Sequence, residues 1–377
     1  MRSCGRPDAR HGARAKGRHP NALWVDASWY QRADQRTPAG DPVTWYSGTG
    51  DWTPDPARFP LGFKPIADEL AKEAARLVLW YEPERIAKGN SFYPHAARYL
   101  APCDSYDIMR YDLSLPDTVS FLADVIGASV VSNNVMFFRQ DMNGPAPLLF
   151  WQAIDAARAD GLLFDTCAAG GRRNDLSTLR FPSVPLHFTD TGYTNYVEKL
   201  RYNHMLNEWL FYRKNISYFF HDRKDKTINR RKAIIDLAQM HTVRSDHYLL
   251  PEPWHSREED RLIAVWRKCA PLMIDGDYYL LTPEVFGDDT WWTTQFHDPK
   301  TGRGFLQLVR NPANKEETRT FRLRGMRPGI RLRCEDLFSG LSYEADSQDP
   351  ISVALPPDSA TILYYEKQKS NDAAALR

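Results

Sequence analysis

Short apolar runs that end in a polar residue recur along this chain, separated by segments of helical period, and that alternation constrains the fold more than any other feature. The runs are Leu23–Asp26, Leu77–Tyr81 with Glu82 behind it, Val135–Asp141, Leu162–Cys167, Val184–Asp190 and Ile216–Phe220, with Asp277–Leu281 as a candidate seventh. Between them, Phe63, Ile66, Leu70 and Ala74 fall at helix spacing, as do Val119, Leu122, Val125 and Ile126. Strand, helix and strand in repetition is how the βα units of a parallel sheet read, because parallel strands need a long crossover. The expected fold is α/β, a (β/α)8-type TIM barrel. In such a barrel the chemistry sits at the C-terminal ends of the strands, where Asp26, Glu82, Asp141, Cys167 and Asp190 fall.

A chain of 377 residues exceeds what one core usually serves, roughly 250–300 residues. The pattern changes after Trp291. Gly304–Arg310, Thr318–Leu323 and Ala360–Tyr365 alternate polar and apolar residues with Pro and Gly between them, which predicts an antiparallel β-sandwich. The expected division is a basic leader over 1–22 without fixed structure, a barrel over 23–285, a sandwich over 290–367 and a polar tail over 368–377.

Charge bounds the partners. Lys plus Arg (49) nearly cancel Asp plus Glu (48), so no bulk field gathers nucleic acid or an anionic membrane. The leader has no apolar run and reads as neither a secretory segment nor a membrane span, and the expected compartment is cytoplasmic. The five cysteines have no paired spacing, which argues against a disulfide framework and a zinc knuckle. The histidines lack the i, i+4 pair of a zinc protease, and no Gly-x-Ser-x-Gly elbow supports acyl transfer. Arg223–Arg231 is basic but interrupted by Asp225, as a solvated helix face is.

Two carboxylates stand out. Phe137 to Asn143 reads as an apolar strand that delivers Asp141 at its end, with Arg139 two residues earlier on the same face as counter-charge for a nucleophilic carboxylate. Val184 to Asp190 ends in a second carboxylate among Phe188, Tyr193 and Tyr196, where partial desolvation would favour a protonated acid. Such a pair is what glycosidic cleavage requires. Taken singly, an ion pair closing a strand explains Asp141 equally well, and a helix N-cap before Tyr193–Trp209 explains Asp190. The small residues between Cys167 and Asp175 let backbone N–H groups approach a ligand. A phosphate loop is disfavoured there, since no Lys-Ser/Thr follows the glycines.

The ordered motifs Trp24-Val25-Asp26-Ala27-Ser28-Trp29-Tyr30, Gly50-Asp51-Trp52 with Arg58-Phe59-Pro60, Leu79-Trp80-Tyr81-Glu82-Pro83-Glu84-Arg85, Arg139-Gln140-Asp141-Met142-Asn143 and Cys167 to Asp175 resemble glycoside hydrolase family 36. That family contains α-galactosidases (melibiases), some α-N-acetylgalactosaminidases and the raffinose and stachyose synthases. The resemblance runs from about Leu23 to Lys367. It implies a retaining glycosidase in which Asp141 is the nucleophile and Asp190 the acid and base. It further implies that Asp26 accepts hydrogen bonds from the galactose 4- and 6-hydroxyls, that Trp52 forms a pocket wall, and that Arg139 stands where the family has a lysine. Cys167 and Gly170 would lie beside the 2-hydroxyl, and Asn143 and Arg172 would complete the substrate-binding set. Glu82 and Glu84 read as scaffold, with Arg85 bonding to them.

The family's N-terminal β-sandwich and first barrel strand have no counterpart before Leu23, so the resemblance also implies a barrel incomplete at its N-terminus. Neither a metal nor an organic cofactor is expected. The implied partner is an α-galactosyl oligosaccharide or glycoconjugate, with no nucleic acid and no membrane, and a homo-oligomer is allowed. A transglycosylase of the raffinose-synthase type and a non-catalytic sugar-binding fragment are the alternative readings.

Overall fold

The structure, a computed structural model, describes residues 22–31, 48–101, 108–141, 156, 162–166, 216–218, 242–244, 253–282, 291–310, 316–357 and 359–368. The expected strand Val184–Asp190 lies outside them. The chain divides into two units, Met1–Gly192 and Tyr193–Arg377.

In the first unit the described elements are β1 (Ala22–Val25), α1 (Lys64–Ala71), β2 (Arg76–Tyr81), β3 (Arg85–Ala87), α2 (Tyr93–Ala96), β4 (Ile108–Arg110), α3 (Pro116–Ser132), β5 (Phe137–Gln140) and β6 (Leu163–Thr166). Strands β1, β2, β5 and β6 form a four-stranded sheet in that order, every pair parallel. The crossover from β1 to β2 carries α1 and that from β2 to β5 carries α3, as the helix spacing predicts. The short pair β3 and β4 is antiparallel.

Both helices begin on a proline in their first turn, where the missing N–H costs nothing and the fixed φ suits the helix. Helix α1 stops at Ala71, and Ala74, the last member of the predicted spacing, sits at φ 54 and turns the chain into β2. The two helices are tied together by Asn133, just past α3. Its Oδ1 accepts the Phe63 N–H at 3.1 Å and its Nδ2 donates to the Ser129 carbonyl at 2.9 Å.

Strand β2 is buried along its length after Arg76, as a parallel strand covered on both faces should be. Leu77, Leu79 and Tyr81 share one core with Leu70, Leu122, Ile126 and Val130 from the helices. Fully burying each such aliphatic side chain contributes about 1.5–3 kcal/mol. Alternation sends Val78 and Trp80 to the opposite face.

The second unit contains β7 (Ile216–Tyr218), β8 (Thr242–Arg244), α4 (Pro253–Asp275), β9 (Asp277–Leu280), β10 (Trp291–Asp298), β11 (Arg303–Arg310), β12 (Glu317–Phe321), β13 (Arg331–Asp336), β14 (Ser342–Asp346), β15 (Ile351–Leu355) and β16 (Ser359–Lys367). Strands β7 and β8 are a parallel pair. The run at Thr242 carries no long apolar stretch, which is why β8 is not legible in the sequence.

Six strands form an antiparallel sheet in the order β14, β13, β16, β11, β10 and β9, and β12 pairs with β15. The segment Asp277–Leu281 is therefore corrected: it does not extend the parallel sheet but pairs antiparallel with β10, Phe296 facing Tyr278. A run of four strand residues following a helix has the same local pattern in either setting, and only the partner strand decides.

Alternation along β10 and β11 serves two cores. Trp292, Phe296, Phe305 and Val309 pack with Leu262, Val265 and Cys269 of α4, whereas Trp291, Leu306 and Leu308 pack with Phe321, Ile351 and Leu355 of β12 and β15. A helix thus covers one face of the sheet and the small two-stranded sheet covers the other. No helix among the described residues is long and apolar enough to cross a membrane.

Candidate active site

Asp141 follows the last residue of β5, and its backbone N–H donates to the Tyr81 carbonyl at 2.9 Å, so the strand pairing itself fixes where the side chain starts. Its Oδ2 accepts the Trp80 indole N–H at 2.7 Å and a guanidinium N–H of Arg139 at 3.1 Å. The register explains this convergence. Trp80 and Arg139 are direct partners across β2 and β5, and residues paired in a parallel ladder share a face. All three side chains are buried, Trp80 and Arg139 at 1% exposure and Asp141 at 6%. The Arg139 guanidinium also lies over the Trp24 ring of β1, 4.8 Å from its centroid.

Two donors on one carboxylate oxygen, one of them charged, stabilise negative charge and fix the orientation of the carboxylate. In a site that excludes water such charge-assisted bonds are stronger than at the surface. A carboxylate held in this way suits attack on an electron-poor carbon, or stabilisation of a positive charge developing beside it.

The opposite side of Trp80 is closed by aromatics. Tyr30 stacks on it with centroids 6.2 Å apart and planes at 25°, and the Trp29 indole N–H donates to the Trp80 carbonyl at 2.8 Å. Trp52 lies one ring further back, 1% exposed, against Trp29, Tyr30, Trp80 and Tyr81. Its backbone sits at φ 53, a conformation rarely taken by a bulky residue, and the Ser129 hydroxyl donates to its carbonyl at 3.0 Å. The described part of Trp52 is thus a support for Trp80.

Asp26 directly follows β1 and is exposed, with Oδ1 accepting the Ala27 N–H at 2.8 Å. The sheet order places it at the end of the strand on the far side of β2 from Asp141. Asp26, Arg139 and Asp141 therefore arrive at one end of one sheet. Asn143, Cys167, Gly170, Arg172 and Asp190 lie outside the described residues.

Trp80 is the side chain that sequence reasoning did not assign to the site. The signal was present, since alternation along Leu77–Tyr81 sets Trp80 on the face away from the helices, but its meeting with Asp141 depends on the register of β2 against β5.

Glu82 follows β2 as Asp141 follows β5. It pairs with Arg85, Nη1 to Oε1 at 2.9 Å, which matches the bond expected from the sequence, and its side chain is 0% exposed. Burial pushes its carboxyl up to about 8, Arg85 opposing this and the neighbouring Asp141 adding to it.

No family model matches the chain. Among curated proteins, α-galactosidase C of Emericella nidulans is 29% identical over 168 residues, which cover 37% of this chain and 22% of that protein. Probable α-galactosidase G of the same organism is 22% identical over 357 residues, 83% of this chain and 46% of that protein. Among solved structures, the GH36 α-galactosidase AgaB of Geobacillus stearothermophilus superposes with a TM-score of 0.68 at 15% identity, covering 96% of this chain and 52% of that one. The chain spans about half or less of the length of each of these relatives. In sequence this chain is similar to curated α-galactosidases, and it has the fold of the corresponding part of a glycoside hydrolase family 36 α-galactosidase.

Proposed function

We propose that the chain carries the sugar site of a retaining glycoside hydrolase acting on terminal α-galactosides, on a (β/α) barrel to which β1, β2, β5 and β6 contribute. The observation that carries this reading is the buried Asp141 carboxylate at a strand end, gripped on one oxygen by Trp80 and Arg139. Asp141 attacks the anomeric carbon, and the glycosidic oxygen leaves with a proton from Asp190. Asp190 then takes a proton from water, which displaces Asp141 from the β-galactosyl-enzyme. Two inversions retain the anomeric configuration.

Asp26 is the hydroxyl reader of this scheme. A carboxylate that accepts from the galactose 4- and 6-hydroxyls is left unpaired by an epimer, and an unpaired polar group at a binding surface rejects the wrong sugar. Raffinose and stachyose occur in complexes of α-galactosidase AgaA of Geobacillus stearothermophilus, which makes them suitable first substrates beside an aryl α-galactoside.

The test is nitrophenol release from the aryl α-galactoside by the wild-type chain and by Asp141→Asn. The variant is expected to lose turnover on the order of 10⁴-fold or more, as removal of a nucleophile does. Equal rates in the two proteins would sink the assignment. Proton NMR of the first-formed sugar reads the configuration, and a galactosylated acceptor in the same sample would reveal transfer in place of hydrolysis.

A further inference from the structure

Tyr81 pairs with Gln140 across β2 and β5, so the next residues in the two strands, Glu82 and Asp141, stand opposite one another where the pairing ends. Both side chains are withdrawn from water, Glu82 completely and Asp141 nearly so. Asp141 receives two donors on Oδ2. Glu82 has the Arg85 cation on Oε1, and among the described residues its buried Oε2 has no hydrogen-bond partner. A buried anionic oxygen left unbonded is costly, whereas the same oxygen carrying a proton is far less so.

We propose that Glu82 and Asp141 form a coupled carboxyl pair that carries one negative charge between them, with Glu82 as a positioning residue that leaves this charge on Asp141. The proposal rests on the reading of Asp141 as nucleophile and deepens it. Two like charges in one sealed layer cannot both persist cheaply, and the donors are distributed so that Asp141 keeps the charge. Burial opposes ionisation of Glu82 first; among the described residues the charged groups acting on it are Arg85 and Arg110, which favour its anion, and Asp141 and Glu84, which oppose it, and the Tyr30 hydroxyl feels it as well. Ionising Glu82 would set a second negative charge beside Asp141 and drive that carboxylate off the position fixed by Trp80 and Arg139.

The sign follows from linkage. Glu82 ionises near its ordinary value of 4.5 in the unfolded chain but near 8 in the fold, so stability is full below the lower value and is lost as pH rises through the upper one. The experiment compares melting temperature from pH 5 to 8.5 in the wild type, Glu82→Gln, Asp141→Asn and the double variant, with kcat/KM on the aryl α-galactoside over the same range.

Glu82→Gln, which cannot ionise, is expected to lose about 8–15 °C less than the wild type across that range. Asp141→Asn should reduce the wild-type loss only in part, and the double variant should follow Glu82→Gln. In turnover, Glu82→Gln should move the alkaline fall of kcat/KM upward by about one pH unit, which a merely structural carboxyl would not do. Equal pH slopes in the wild type and Glu82→Gln, a slope untouched by Asp141→Asn, or an unmoved alkaline limb would each overturn the proposal. If the wild type turns over no galactoside at any pH, the hydrolase reading fails, and the melting cycle still decides the charge sharing.

Discussion

Replacing Trp80 by Phe removes the indole N–H that holds Asp141 and keeps an aromatic ring against Tyr30. The bond is 2.7 Å long, and its partners are 1% and 6% exposed, so water does not restore it without opening the fold. A hydrogen bond to a charged group contributes about 1.5–3 kcal/mol. In a unit of this size each kcal/mol moves the melting temperature by about 2–4 °C, which assigns about 3–12 °C to this contact. The smaller ring also leaves a void, and a double-mutant cycle separates the two effects. Wild type, Trp80→Phe, Asp141→Ala and the double variant would be unfolded in urea and followed by tryptophan fluorescence, and the coupling energy would be read from the four midpoints. A coupling of about 1.5–3 kcal/mol is expected. A value below about 0.5 kcal/mol, the usual error of additivity, would refute the argument that Trp80 secures the carboxylate.

Further consequences follow from the same contacts. Arg139→Met leaves Asp141 buried without its cation and should destabilise the chain by about 3–5 kcal/mol in urea unfolding, while Arg139→Lys should fall between, since it keeps the charge and loses the guanidinium that lies over the Trp24 ring. Gly304→Ala would put a methyl 2.2 Å from the Tyr365 hydroxyl and 2.4 Å from the Phe296 carbonyl oxygen, and should cost about 1–3 kcal/mol. Adding Tyr365→Phe should not restore that loss, because the Phe296 contact is with the backbone; full recovery of the melting temperature would contradict this account.

Sequence alone determined the elements whose pattern is local. The apolar run at Leu77–Tyr81 is a strand because it is continuous and short, and Val119 to Ile126 is helical because its apolar residues recur at helix period; both patterns survive without knowledge of neighbours. The carboxylates at strand ends were legible for the same reason, since Asp26 and Asp141 terminate such runs. Partner choice was not legible. Asp277–Leu280 has a strand pattern that fits either sheet, and only its pairing with β10 placed it in the antiparallel one. The short Thr242–Arg244 strand has no pattern of its own and is defined by Ile216–Tyr218 beside it.

The tertiary structure also decided the immediate surroundings of the nucleophile candidate. The Trp80 and Arg139 donors lie 61 and two residues from Asp141 in sequence, and Trp24 belongs to a third strand; they converge because the register of β1, β2 and β5 sets one face in common. Glu82 reads from sequence as scaffold, and its burial opposite Asp141 emerges only when β2 and β5 are in register. Local chemistry names the residues that can react, whereas register and burial determine which charges they keep, because those depend on distances between chain segments that no single segment encodes.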